Sequence, residues 1–130
     1  MILDEIGSFL AAEGVATVGT TLFKSLLPDS PDTAMALFET GGLSGQYVLG
    51  GLPVDTERPG LQILCRANDY STARQHAENA YRALDSVNDQ ALSGVHYHWI
   101  QPQQPPFSLG QDERGRLLVA FNVIASKELS

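Results

Sequence analysis

The constraint that most narrows the fold is a strand-to-helix unit over 57–85, answered by a long alternating run near the C-terminus. Leu61–Arg66 alternates, with Leu61, Ile63 and Cys65 on one side and Gln62, Leu64 and Arg66 on the other. Asp69 is placed to cap a helix over Tyr70–Leu84. Tyr70, Ala73, Ala77, Tyr81 and Leu84 share one stripe of that helix, with Arg74, Glu78 and Arg82 on the wet side. Glu78 precedes Arg82 by one turn, the favourable order for an exposed pair. Arg116–Ser126 alternates Leu117, Val119, Phe121, Val123 and Ala125 against Arg116, Leu118, Ala120, Asn122, Ile124 and Ser126. Such spacing requires a sheet with one face against helices.

The remaining segments fill in that sheet. Residues 2–13 read as an amphipathic helix through Ile2, Ile6, Phe9 and Leu10, with Gly14 as its C-terminal cap. Strands are expected around Thr20–Ser25 and Thr33–Glu39, separated by a Pro-Asp turn. Ser93-Gly94 reads as a hairpin turn into a strand over Val95–Gln101, whose odd positions Val95, Tyr97 and Trp99 form the predicted core face. The proline-rich run 101–106 breaks the chain, and Asp112–Gly115 is a hairpin tip leading into the last strand. Six of the twelve glycines fall in 41–60, which reads as a long loop or arm. The predicted fold class is α+β: one domain over 1–130, a mostly antiparallel sheet of four or five strands, and two main helices on one face.

Two helices cover one face of such a sheet, so the other should be polar. It is only partly so. Leu64, Ile100, Leu118, Ala120 and Ile124 fall on the far side, with Leu37 a further candidate. An apolar patch of that kind marks a partner surface, or else the long loop folds over residues that are singly unremarkable. The candidate contact set is therefore Leu64, Ile100, Leu118 and Ile124, joined by Gly41, Gly42, Tyr47 and Leu49 of the arm and Asp112 and Arg114 of the hairpin tip.

Chemistry is thinly represented. His96 and His98 are the one close pair of metal-ligand type, and two further ligands are not in place; Cys65 sits on another strand and His76 on a helix. Cys65 falls on an apolar stripe, where a thiol is inert. No Gly-x-Ser-x-Gly occurs, and the carboxylate pairs Asp4/Glu5, Asp55/Glu57 and Asp112/Glu113 lie at a helix start or in turns. No catalytic residue, cofactor or metal site is expected. Fifteen acidic against eight scattered basic residues leave a charge of −7, which argues against tight DNA binding. A single cysteine fits a reducing compartment, and the acidic start MILDEIGSF is unlike a signal peptide. No run is long enough to span a bilayer.

Three stretches, ERPGLQILCR, DYSTARQHAENAYRALD and FSLGQDERGRLLVAFNVIASKE, together with MILDEIGSFLAAEGVATVGTTLFKSLLPDSPD and ALFETGG, resemble in order and spacing the minor-capsid or tail-terminator proteins of long-tailed bacteriophages. The resemblance implies an α+β fold, a hexameric ring of copies, and partners in the tail-tube protein and the head connector. Genomic DNA would pass through the lumen without tight binding. It implies a virion protein of the neck or tail top, made in a bacterial cytoplasm, and supplies no catalytic or metal residues. The alternatives left open are another neck or connector protein and, from a different class, a small ligand- or metal-binding domain.

Overall fold

Ile2, Ile6 and Leu10 are buried along one side of α1, Ile2–Ala12, as their spacing requires. Gly14 follows at φ +76°, a left-handed turn where a side chain would be strained. The computed structural model describes residues 2–16, 19–43 and 56–128. Beyond α1 the order is β1 (Leu22–Lys24), β2 (Ala34–Leu43), β3 (Thr56–Ala67), α2 (Tyr70–Asp85), β4 (Asn88–Leu92), β5 (Val95–Pro102), β6 (Phe107–Gln111) and β7 (Leu117–Glu128).

The strands form one seven-stranded sheet in the order β1-β2-β3-β7-β5-β4, with β6 also on β7. It is therefore six strands wide, more than the four or five expected. β1 runs parallel to β2, and the other described pairs are antiparallel. β5 and β6 share one flank of β7: Pro102 lies opposite Val123, and Phe107 opposite Ala120. Between them the Asn122 N–H donates to Gln104 Oε1 at 2.8 Å, and its carbonyl accepts from the Gln103 N–H at 2.8 Å. The proline-rich run thus interrupts one long strand rather than ending it.

Both helices lie on one face, α2 across β3, β7 and β5, and α1 against β1, β2 and β4. The core they close includes Leu22, Met35, Leu37, Leu61, Ile63, Cys65, Val119, Phe121, Val123 and Ala125 from the sheet. Ala73, Ala77, Ala80 and Leu84 are the buried stripe of α2. Tyr81 is half-buried, edge-on to Phe121 with ring centres 5.5 Å apart. Asp69 caps α2, its Oδ2 accepting from the Thr72 N–H at 3.0 Å. Tyr70, placed on the core stripe by its spacing, is exposed and bonds to Arg74 instead. Glu78 pairs backward with Arg74 at 3.2 Å, and Arg82 turns to Asn79.

Two further expectations are corrected. The ends of the predicted loop over 41–60 are strand instead, because β2 continues through Gly41 and Gly42 to Leu43 and β3 begins at Thr56. Residues 44–55, with Tyr47 and Leu49, lie outside the described residues. In β5 the register slips: Tyr97 faces Lys127, yet Trp99 faces Ser126. This bulge at His98 reverses the alternation. Tyr97 and Ile100 are buried on the helix side, and half-buried Trp99 turns to the other face.

Candidate functional site

The strand registers assign the sheet face that no described helix covers. Its residues are the even positions of β3 and β7, with their partners on neighbouring strands. One row crosses five strands: Phe23, Ala36, Leu64, Ala120 and Phe107. The two alanines are fully buried beneath their larger neighbours, whereas Phe23, Leu64 and Phe107 are half-exposed. Leu118, Ile124, Phe38 and Trp99 are half-buried on the same face, interspersed with Gln62, Asn122 and Gln101. The face is a shallow apolar field with amide groups set into it.

Leu64, Leu118 and Ile124 therefore stand together where their alternation puts them. Ile100 does not: it is 3% exposed and belongs to the helix-side core, because the bulge shifts it by one place. Leu37 is also in that core. Gly41 is exposed in β2, and Gly42 follows it. Phe23, Phe38, Phe107 and Trp99 were missed. The alternation of Leu22-Phe23-Lys24 signals the first; the others depend on a register or a bulge that spacing alone does not carry.

One end of this face is closed by an arginine clamp. Arg66 and Arg116, 3% and 5% exposed, project from the ends of β3 and β7. Arg66 donates to the carbonyls of Asp32 at 3.1 Å, Pro28 at 2.6 Å and Pro31 at 2.5 Å. Arg116 reaches Asp29 at 3.0 Å, Asp32 at 3.1 Å and Asp112 at 2.8 Å. Burial alone would raise the Asp112 carboxyl, but hydrogen bonds from Arg116 and Arg114 outweigh it and hold it below the usual range. Asp112 is thus committed to holding its hairpin, while exposed Arg114 pairs with Asp29 at 2.8 Å. A groove of about 350 Å³ beside the clamp is lined by Leu27, Leu118 and these charged side chains.

A second charged cluster lies under α1. Lys127, fully buried, pairs with Glu5 at 2.8 Å and Glu57 at 3.2 Å, and Tyr97 donates to Glu5 at 2.8 Å. Burial pushes the Glu5 carboxyl up, but hydrogen bonds led by Lys127 more than offset it, so its pKa lies below the ordinary 4.5. The charges compensate one another within the core.

The chemically suggestive residues are engaged elsewhere. Burial pushes the Cys65 thiol up to about 12, so it stays protonated at neutral pH. His96 meets Asp89 at 2.7 Å and stacks edge-on to His98 at 4.8 Å between ring centres. Among the described residues no three His, Cys, Asp or Glu side chains are grouped to hold a metal ion. No helix among them is long and apolar enough to cross a membrane.

The family model for bacteriophage tail terminator proteins matches residues 9–129. No curated protein matches the chain. Among solved structures, a chain of the virion of a native gene transfer agent particle shares the fold at a TM-score of 0.65 and 14% identity, covering 95% of this chain and 84% of that one.

Proposed function

The chain belongs to the bacteriophage tail terminator family and is a structural protein of the virion's tail and neck; we propose that it acts as a ring of copies, six in number, that closes the tail tube and joins it to the head connector. The observation that carries this reading is the uncovered sheet face. Leu64, Leu118 and Ile124 with Phe23 and Phe107 are half-buried apolar side chains on one face that no described helix covers. That face would be covered by a neighbouring subunit or by the tail tube. Asp112 and Arg114, Gly41 and Gly42 at the end of β2, and Tyr47 and Leu49 would supply rim contacts. The number six follows from the family resemblance.

The role requires surfaces rather than bond-making chemistry, which is consistent with a protonated Cys65 and with carboxylates committed to ion pairs. An acidic balance of −7 per chain suits a lumen through which DNA slides, because like charge repels the phosphates. The test is mass by light scattering, alone and with purified tail-tube protein, together with tube lengths in the electron microscope. Ring-sized particles and tubes of arrested length are expected. A chain that remains single in both conditions and leaves tube growth unchecked overturns the reading.

A further inference from the structure

The two ends of the row described above are the two edges of the sheet. Phe23 in β1 closes one end and Phe107 in β6 the other. Among the described residues no strand lies outside either. β4, which borders β5, is guarded: exposed Asp89 puts a charge there, in a left-handed backbone conformation at φ 52°. β6 reads Phe-Ser-Leu-Gly-Gln, with no charge and no proline, and its Leu109 is 48% exposed. An unguarded edge of this kind is a template for another strand.

Direction and height agree as well. β1 is parallel to β2, while β2 and β7 are both antiparallel to β3, so β1 and β7 point the same way. β6 is antiparallel to β7 and therefore to β1. Leu22 and Ser108 both stand in the row of Val119, through Met35 and Cys65, as Phe23 and Phe107 both stand in the row of Ala120.

The peptide groups are aimed correctly too. The Met35 N–H donates to the Thr21 carbonyl and the Ser25 N–H to that of Leu37, so Thr21, Phe23 and Ser25 face β2 and Leu22 faces outward. On the other flank Asn122 directs its N–H and carbonyl to the β5–β6 side. By the same alternation so does Ala120; its partner Phe107 faces back, and Ser108 faces out. The outward Leu22 carbonyl accepts from the Gly19 N–H at 2.9 Å and keeps a second lone pair.

We propose that copies of this chain join edge to edge, β1 of one subunit adding antiparallel to β6 of the next, with Leu22 opposite Ser108 and Phe23 opposite Phe107. The inference rests on the ring reading and specifies the contact between its subunits. Phe23 and Phe107 then occupy a non-hydrogen-bonded position, where partner Cα atoms approach to about 4.5 Å and aromatic side chains pair across strands. Because the two edges differ, the contact is heterologous, as a ring needs.

The test is the full-length double variant Phe23→Cys/Phe107→Cys, oxidised mildly and run on a non-reducing gel. A ladder of covalent multimers beyond the dimer is expected, with none from either single variant. A dimer from Phe107→Cys alone would mean that β6 meets β6, and would overturn the proposal. The second variant is Ser108→Pro, which removes one outward N–H and leaves the β7 pairing of Phe107 in place. It should weaken self-association about tenfold with the melting temperature held. Unchanged association, or an oligomeric native chain whose double variant gives no ladder, overturns this contact while leaving the ring reading intact. A native chain that stays single with and without tail tube removes both.

Discussion

At the scale of single residues, the two buried charge clusters set the most specific expectations. Lys127 is surrounded by Glu5, Glu57 and Tyr97, with its ammonium 5.6 Å from the centre of the Tyr97 ring. Lys127→Met should cost about 3–5 kcal/mol in urea unfolding, because it removes the buried ammonium that balances the Glu5 carboxylate. Adding Glu5→Gln should recover part of that loss, a coupling that a double-mutant cycle measures. The pH dependence follows from the same pair. The folded pKa of Glu5 lies below its ordinary 4.5, so its stabilising contribution is fully present above that value and is lost as pH falls through the folded one. Acid titration of the urea midpoint should show this decline in the native chain and a shallower one in Glu5→Gln. Arg116→Ala should speed amide exchange at Asp29 and Asp32, which the clamp holds against β7. Unchanged exchange there would mean that the clamp does not order the turn.

At the scale of elements, the sequence was legible wherever a period ran uninterrupted. α2 and its Asp69 cap, the helix-side stripe of β7 and the Ser93-Gly94 turn all stand where spacing placed them. It failed at β5, because one inserted residue at His98 exchanges the faces of Trp99 and Ile100, and nothing in Val-His-Tyr-His-Trp-Ile announces a bulge. It failed likewise at Gly41, Gly42 and Pro59, residues of loop character that lie in strands, since pairing between β2 and β3 overrides their weak local preference. Of the candidate contact set, Leu64, Leu118 and Ile124 could be read because both of their strands alternate cleanly. Phe107 could not, because its place depends on a broken strand rejoining β7. The bulge also sets a mutational ranking. Phe121→Ala, fully buried, should cost about 3–5 kcal/mol, and Trp99→Ala well under half of that, as compared by chemical denaturation.

At the scale of the whole molecule, the helix-covered face holds the core and the opposite face carries the proposed assembly contacts. Leu118→Asp should reduce the assembled mass in light scattering while the melting temperature of the single chain stays within a few degrees. Unfolding of that variant would place Leu118 in the core instead. Trp99 is the one tryptophan and lies on the uncovered face, so its emission should shift to the blue when copies associate. Emission that does not respond to concentration would remove that face from the contact.

The Glu5–Lys127 bond joins nearly the first turn of the chain to nearly its last strand residue. During synthesis α1 leaves the ribosome long before its counterion is made, and β7, the strand between β3 and β5, follows every other described strand in the sequence. The subunit therefore cannot finish its interior until β7 has been made. A chain that has not yet reached β7 lacks both the closed core and the middle of the sheet on which the proposed contacts are built.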